Sequence, residues 1–257
     1  MSNIARFCYV NWVTRPGAGV SGSSQQVTLP DDNIQNPQRV RVWEATGKTA
    51  EWMQVNLPSA LPVDQLVVLD HNWTAGATVT LVGSANAGFS PPAITIDDIP
   101  FSSDYGVAAY AVPSTLSYQY WRLLVEDSGN ADDIQIGYIF LGPKVDFDYR
   151  PGFNFKQPDP SVEVFSDDGQ RSLYVRSKYR EVRFNIGDEL DLTKLTGFYR
   201  WQGKRDFILM LDPDNDQFDN VTDGQFSWTM LGSLALMEFN HRTMGVVTAP
   251  LKFREAR

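Results

Sequence analysis

The segment Tyr118–Gly142, YQYWRLLVEDSGNADDIQIGYIFLG, sets two apolar rows at a period of two on either side of a polar turn. Trp121, Leu123 and Val125 alternate with Tyr120, Arg122 and Glu126; beyond the turn, Ile134, Ile136, Tyr138 and Phe140 alternate with Gln135 and Gly137. Successive side chains on a strand point to opposite faces, so each run offers one apolar row to a core. Between them, DSGNADD supplies Gly129, Asn130 and acids that stay hydrated in a tight turn. Two consecutive strands of this kind lead to a β-sandwich or barrel.

The rest of the first half agrees. Phe7–Val13 reads as a short strand, followed by the Gly/Ser loop TRPGAGVSGSSQQ. The stretch 27–41, punctuated by Pro30, Asn33, Asn36 and Pro37, is expected to be irregular and anchored by Ile34 and Val40. EWMQVNL alternates as a strand and PSALP reads as a turn. VDQLVVLDHN is a nearly continuous apolar run, as in a strand buried on both faces. ATVTLVG and Val107–Val112 add strands around an excursion holding Pro91, Pro92 and Pro100.

From Pro143 the periodicity stops, and KVDFDYRPGFNFKQPDP reads as a linker. Beyond it RSLYVRS and EVRFNIG read as a hairpin, residues 188–201 as a helix with Leu192, Leu195 and Tyr199 on one face, and DFILMLDP as a buried strand. QFSWTMLG, ALMEFNH and MGVVTAPLKFRE read as the last strands. The expected organisation is all-β: an arm or added strand over 1–26, a β-sandwich over 27–143, a linker over 144–160, and a second β-rich domain with one short helix over 161–257.

A net charge of -9 argues against a nucleic-acid groove, which needs a basic patch. One cysteine, Cys8, excludes an internal disulfide framework. MSNIARFCYVNW has no apolar run long enough for a signal peptide and no window reaches a membrane span, so synthesis in a cytoplasm is expected, with release of a particle by lysis open. Two widely separated histidines and no nucleophile, metalloprotease or phosphate-loop motif lead to the expectation of no enzyme and no cofactor; a glycan hydrolase using two acids would leave no local motif.

Residues 33–142 resemble the galactose-binding-like (discoidin, coagulation-factor type C) jelly roll. The points of similarity are the Trp43 region, EWMQVNL, VDQLVVLDHN, TVTLVGSANAG, YWRLLVED and IQIGYIFLG in that order. The stretch NIQNPQRVRVWEATGKTAEWMQVNLPSALPVDQLVVLDHNWTAGATVTLVGS, with FILMLDP and MGVVTAPLKFREA near the other end, also looks like structural proteins of tailed-bacteriophage tail tips and baseplates. That resemblance implies a virion component, a homo-oligomeric ring, other phage tail proteins as partners, and contact with a host surface glycan.

Galactose-binding-like domains that take ligands do so with loops at one end of the jelly roll. His71, Asn72, Trp73 and Tyr105 are the corresponding glycan-contact candidates: an aromatic platform beside amide donors suits a sugar. The alternative is that Trp73 covers the sandwich end and His71 satisfies a backbone group. Asp212, Asp214, Asp216 and Asp223 have the alternate spacing of a calcium loop, but Gln217 stands where such a loop needs glycine, and a solvated turn explains them as well. Arg176, Lys178, Arg180 and Arg183 form a basic row that could meet Asp132 and Asp133 of another copy; two solvated surfaces are the alternative.

Overall fold

A computed structural model describes residues 4–38, 40–149, 154–165, 171–175, 179–189, 192–202, 205–211, 229–237, 240–243 and 246–255. The chain opens with β1 (Ile4–Cys8), β2 (Gly19–Gly22), a 3-10 turn at Asp31–Gln35, β3 (Trp43–Glu44), β4 (Glu51–Leu69), β5 (Thr78–Ser84), β6 (Ile94–Ile96) and β7 (Phe101–Ser102). It continues through β8 (Val107–Glu126), β9 (Gln135–Ile136), β10 (Tyr138–Gly142), β11 (Val145–Asp148), β12 (Asn154–Lys156), β13 (Val162–Phe165) and β14 (Arg171–Tyr174). The last elements are β15 (Glu181–Glu189), α1 (Leu192–Gln202), β16 (Phe207–Leu211), β17 (Thr229–Met237), β18 (Asn240–Thr243) and β19 (Val246–Glu255).

The fold is all-β, a jelly-roll sandwich joined to a second β-rich unit with one α-helix among the described residues. Two long strands, β4 and β8, pair with each other along nearly their whole length, with register shifts between Asn56 and Leu61 and between Val63 and Gln65. PSALP, read above as a turn, is this irregular stretch of one strand: Pro58 and Pro62 withhold ladder donors, so the pair bends there without ending. On one side of the bend β2 adds to β4 while β5 and β6 extend from β8. On the other side β10 adds to β4 and β7 to β8. Folding the two halves over each other buries Met53, Val55, Leu57, Trp121, Leu123 and Val125 against Val68, Ala108, Ile139 and Leu141.

The second unit is built around the strand order β11-β1-β16-β17-β19-β15-β12. Tyr149, one residue past β11, bridges to Ile186 of β15, so the sheet curls back on itself like a barrel. Phe7, Phe147, Phe184, Phe207 and Phe253 fill its interior. Phe198 of α1 closes it, with its ring 4.8 Å from Phe7 and 5.1 Å from Phe207. The expected helix therefore exists, and Phe198 carries its burial; the side chains of Leu192, Leu195 and Tyr199 lie outside the described residues.

Three boundaries differ from the sequence expectation. Ile4–Cys8 is an interior strand of the second unit, between β11 and β16, so the jelly roll is inserted between the first two barrel strands. Within the expected linker, Val145–Asp148 and Asn154–Lys156 are strands of the same sheet. RSLYVRS and EVRFNIG do not form a hairpin: Arg171–Tyr174 pairs with Val162–Phe165, and β15 pairs with β19 and β12. Short-range pattern cannot select among edges that distant strands compete for.

The two units share an apolar seam. Val67 and Leu69 of β4, Val107 and Ala109 of β8, and Tyr138 and Phe140 of β10 meet Cys8, Ile208, Met210 and Leu231 from the barrel. Leu66 and Val68 point the other way, into the sandwich. This is the physical content of the continuous apolar run: both faces of the strand are covered. Arg6, 2% exposed, crosses the seam with both Asp146 carboxylate oxygens at 2.7 and 2.9 Å and Gln65 Oε1 at 3.5 Å.

Candidate functional site

The loop carrying His71, Asn72 and Trp73 folds into the protein. Trp73 is 1% exposed and His71 6% exposed, and their rings stack at 3.9 Å with Phe101 edge-on to both. Burial pushes the His71 pKa down to about 4, against a smaller opposing contribution from the Val107 backbone, so the imidazole is neutral near pH 7. Its Nδ1 accepts from the Trp73 backbone N–H at 3.2 Å.

Asn72 is engaged on three sides. Its Nδ2 donates to the Asp133 carbonyl at 2.7 Å, its Oδ1 accepts from the Gln135 N–H at 2.9 Å, and its carbonyl accepts from Asn130 Nδ2 at 3.0 Å. Thr74 donates twice to the buried Asp127 carboxylate, each at 2.7 Å. The glycan platform expected here is thus corrected: Trp73 has no face in solvent because the sandwich end needs an apolar plug, and Asn72 fastens the 127–135 turn. Tyr105 is 46% exposed, and the next residue, Gly106, accepts the His71 backbone N–H at 3.3 Å.

The charged candidates divide similarly. Arg180 donates to Glu255 Oε1 at 2.6 Å and to the Thr229 carbonyl at 3.4 Å, and Arg183 sits 3.2 Å from Glu181, so both are engaged within their own unit. Asp132 is exposed, and Asp133 accepts from Gln26 Nε2 at 3.4 Å. Arg176, Lys178, Asp212, Asp214, Asp216 and Asp223 lie outside the described residues. Among the described residues there is no cluster of three or more His, Cys, Asp or Glu suited to a metal, and no helix long and apolar enough to cross a membrane.

Sequence reasoning passed over the cleft where the two units meet, a cavity of about 600 Å³. Its walls come from the crossing segment 9–16, from Gln35 and Pro37, from Tyr138 and Phe140 of β10, and from Trp201 and the 205–207 stretch. Three half-buried aromatic rings, Tyr9, Trp12 and Trp201, line it. Tyr9 packs 4.9 Å from Trp201 and 5.2 Å from Phe198. The Trp12 indole N–H donates to the Pro62 carbonyl at 2.6 Å. Arg15 lies over Trp12 at 5.2 Å and Arg205 over Trp201 at 5.5 Å, so each guanidinium rests on an aromatic face.

Asn11 holds the crossing segment in place. Its Nδ2 donates to the Tyr138 hydroxyl at 3.0 Å and the Ile139 carbonyl at 2.8 Å, while its Oδ1 accepts from the Val13 and Leu141 N–H groups. Burial pushes the Tyr138 hydroxyl up to about 12, the Asn11 bond opposing and Asp206 adding to the shift, so the phenol keeps its proton. Asp206 is itself raised by desolvation. The cleft thus places aromatic faces, guanidinium donors and one carboxylate acceptor around a single space. No local motif announces it, because its parts lie up to two hundred residues apart; Trp12 and Trp201 were visible only as isolated aromatics.

No protein-family model matches the chain, and the search of curated proteins finds no match. Among solved structures, chitosan-binding module 1 from a chitosanase/glucanase of Paenibacillus sp. IK-5 is similar at 16% identity and TM-score 0.41, covering 52% of this chain and 99% of that one. A fucose-binding module of Streptococcus pneumoniae is similar at 10% identity and TM-score 0.41, covering 52% and 95%. The lectin domain of Lectinolysin complexed with Lewis B antigen follows at 12% identity and TM-score 0.40, covering 51% and 96%.

Proposed function

We propose that this chain is a non-enzymatic structural subunit of a bacteriophage tail, at the tip or baseplate, that assembles with copies of itself and with other tail proteins in the virion. The observation that carries this reading is the ribbon formed by β13 and β14. It is a two-stranded sheet of its own, and such a ribbon is marginal in water without a surface to cover it. It exposes Val162, Val164, Leu173 and Tyr174, and Val175 just past β14 is 78% exposed. The register sets Val162, Val164 and Tyr174 on one face and Leu173 on the other, and an exposed apolar face of this kind marks a protein contact. Of the basic row, Arg180 and Arg183 pair with Glu255 and Glu181 of their own unit. The phage setting rests on the sequence resemblance.

The test is the mass of the purified chain by light scattering, alone and with candidate tail proteins, for the wild type and for Val164→Lys with Tyr174→Lys. A discrete oligomer or co-assembly, lost in the variant at unchanged thermal midpoint, supports the reading. A chain that stays monomeric in every mixture sinks it. A carbohydrate-binding role is a second reading, favoured by the junction cleft with its aromatic walls and mixed polar lining.

A further inference from the structure

The geometry points to the cleft between the barrel and the inserted jelly roll as a binding site for a neutral saccharide, built jointly by Tyr9, Trp12, Arg15, Trp201, Arg205 and Asp206. This inference rests on the carbohydrate reading and moves it away from the sandwich end, where His71, Asn72 and Trp73 are closed off. The volume, about 600 Å³, falls inside the ~300–1,000 Å³ range of clefts that take small ligands, and junctions between units are a common place for them.

The lining selects the ligand class. A purely anionic ligand would meet the Asp206 carboxylate, and a purely cationic one would meet the guanidinium groups of Arg15 and Arg205. A lipid tail would strip water from all three without replacing it, at a large desolvation cost. A neutral sugar does none of these: its hydroxyls donate to Asp206 and accept from the guanidinium groups, and its C–H face lies on an aromatic ring. Arg15 and Arg205 already rest on the Trp12 and Trp201 rings, which limits the rotamer freedom they lose on binding. Asp206, raised by desolvation, supplies the one carboxylate in the lining.

Because Tyr9 and Trp12 lie on the segment leading from β1 to β2, and Trp201 lies in the last turn of α1, a sugar in the cleft touches elements from both units. The separated jelly roll would lack Trp201, Arg205 and Asp206 and so lose most of the polar site.

The experiment applies the full-length chain to immobilised neutral oligosaccharides (oligomers of glucose, galactose and N-acetylglucosamine) and acidic ones (oligomers of a uronic acid), followed by titration with the best. Wild type, Arg15→Ala, Asp206→Asn, Trp201→Ala and Tyr105→Ala are compared, each with its thermal midpoint. The expected result is retention by a neutral oligosaccharide, weakened tenfold or more by Arg15→Ala and by Asp206→Asn at unchanged midpoint. Trp201→Ala should abolish binding. Because that variant also removes packing on Tyr9, the two exposed polar variants keep the test decisive if it fails to fold. Retention that survives all three cleft changes but is lost in Tyr105→Ala would leave the carbohydrate reading standing and overturn the cleft. Retention only by acidic oligomers would overturn the ligand class, and no retention on any surface would sink both.

Discussion

Acidification should weaken the fold through one residue. His71 is 6% exposed, with its pKa lowered from 6.5 to about 4, chiefly by burial. Between those values the unfolded chain binds a proton that the folded chain excludes, so stability rises with pH. The contribution is fully present above about pH 6.5 and is lost as pH falls toward 4. With a gap of about 2.5 units, the cost reaches about 2 kcal/mol at pH 5 and tends to about 3 kcal/mol below pH 4. For a chain of this size that is a fall of roughly 4–8 °C in thermal midpoint between pH 7.5 and pH 5. Urea unfolding at the two pH values, followed by tryptophan fluorescence, measures it, and Trp73 stacked on His71 gives a local reporter. His71→Phe keeps a ring against Trp73 and removes the titration, so it should lose about 2 kcal/mol less than wild type over the same interval. Equal losses in the two proteins would refute the burial argument and place the acid sensitivity elsewhere.

Other perturbations test the seam and the loop. Gly142→Ala would put a Cβ 2.1 Å from the Val10 carbonyl, so the crossing segment must move, and the midpoint should drop by an amount equivalent to about 2–3 kcal/mol. Asp146→Ala removes the carboxylate that grips the buried Arg6 guanidinium through both oxygens and should cost about 3 kcal/mol, of which a paired Arg6→Met recovers part; a neutral single variant in denaturant titration would contradict the role given to the pair. Asn72→Ala removes the donor and acceptor that hold the 127–135 turn, so limited proteolysis should cut there first, with a midpoint fall equivalent to about 2 kcal/mol.

How much of this was legible depended on range. The alternation of Trp121, Leu123 and Val125 with polar neighbours described their strand well, because those residues face one core and alternate residues look outward. The run Leu66–Leu69 was readable as buried on both sides, although nothing local said that its second face would meet Ile208 and Met210. Phe7 looked like part of an arm, since a strand's edges carry no sequence label and its partners, Val145 and Leu209, lie far along the chain. Trp73 beside Asn72 looked like a sugar platform because composition gives chemistry without exposure; the same residues make a plug once Phe101 closes over them.

The sequence by itself determined the all-β class, the order of most strands, a helix within 188–201 and the acidic balance, because each follows from side-chain period, turn chemistry or charge within a short window. Tertiary structure alone decided which strands share an edge, that the jelly roll is an insertion in the second unit, and that Trp12, Arg15, Trp201 and Asp206 stand around one cleft. Those outcomes arise from long-range pairing and from burying apolar faces against each other. Both depend on geometry between residues that no local pattern connects.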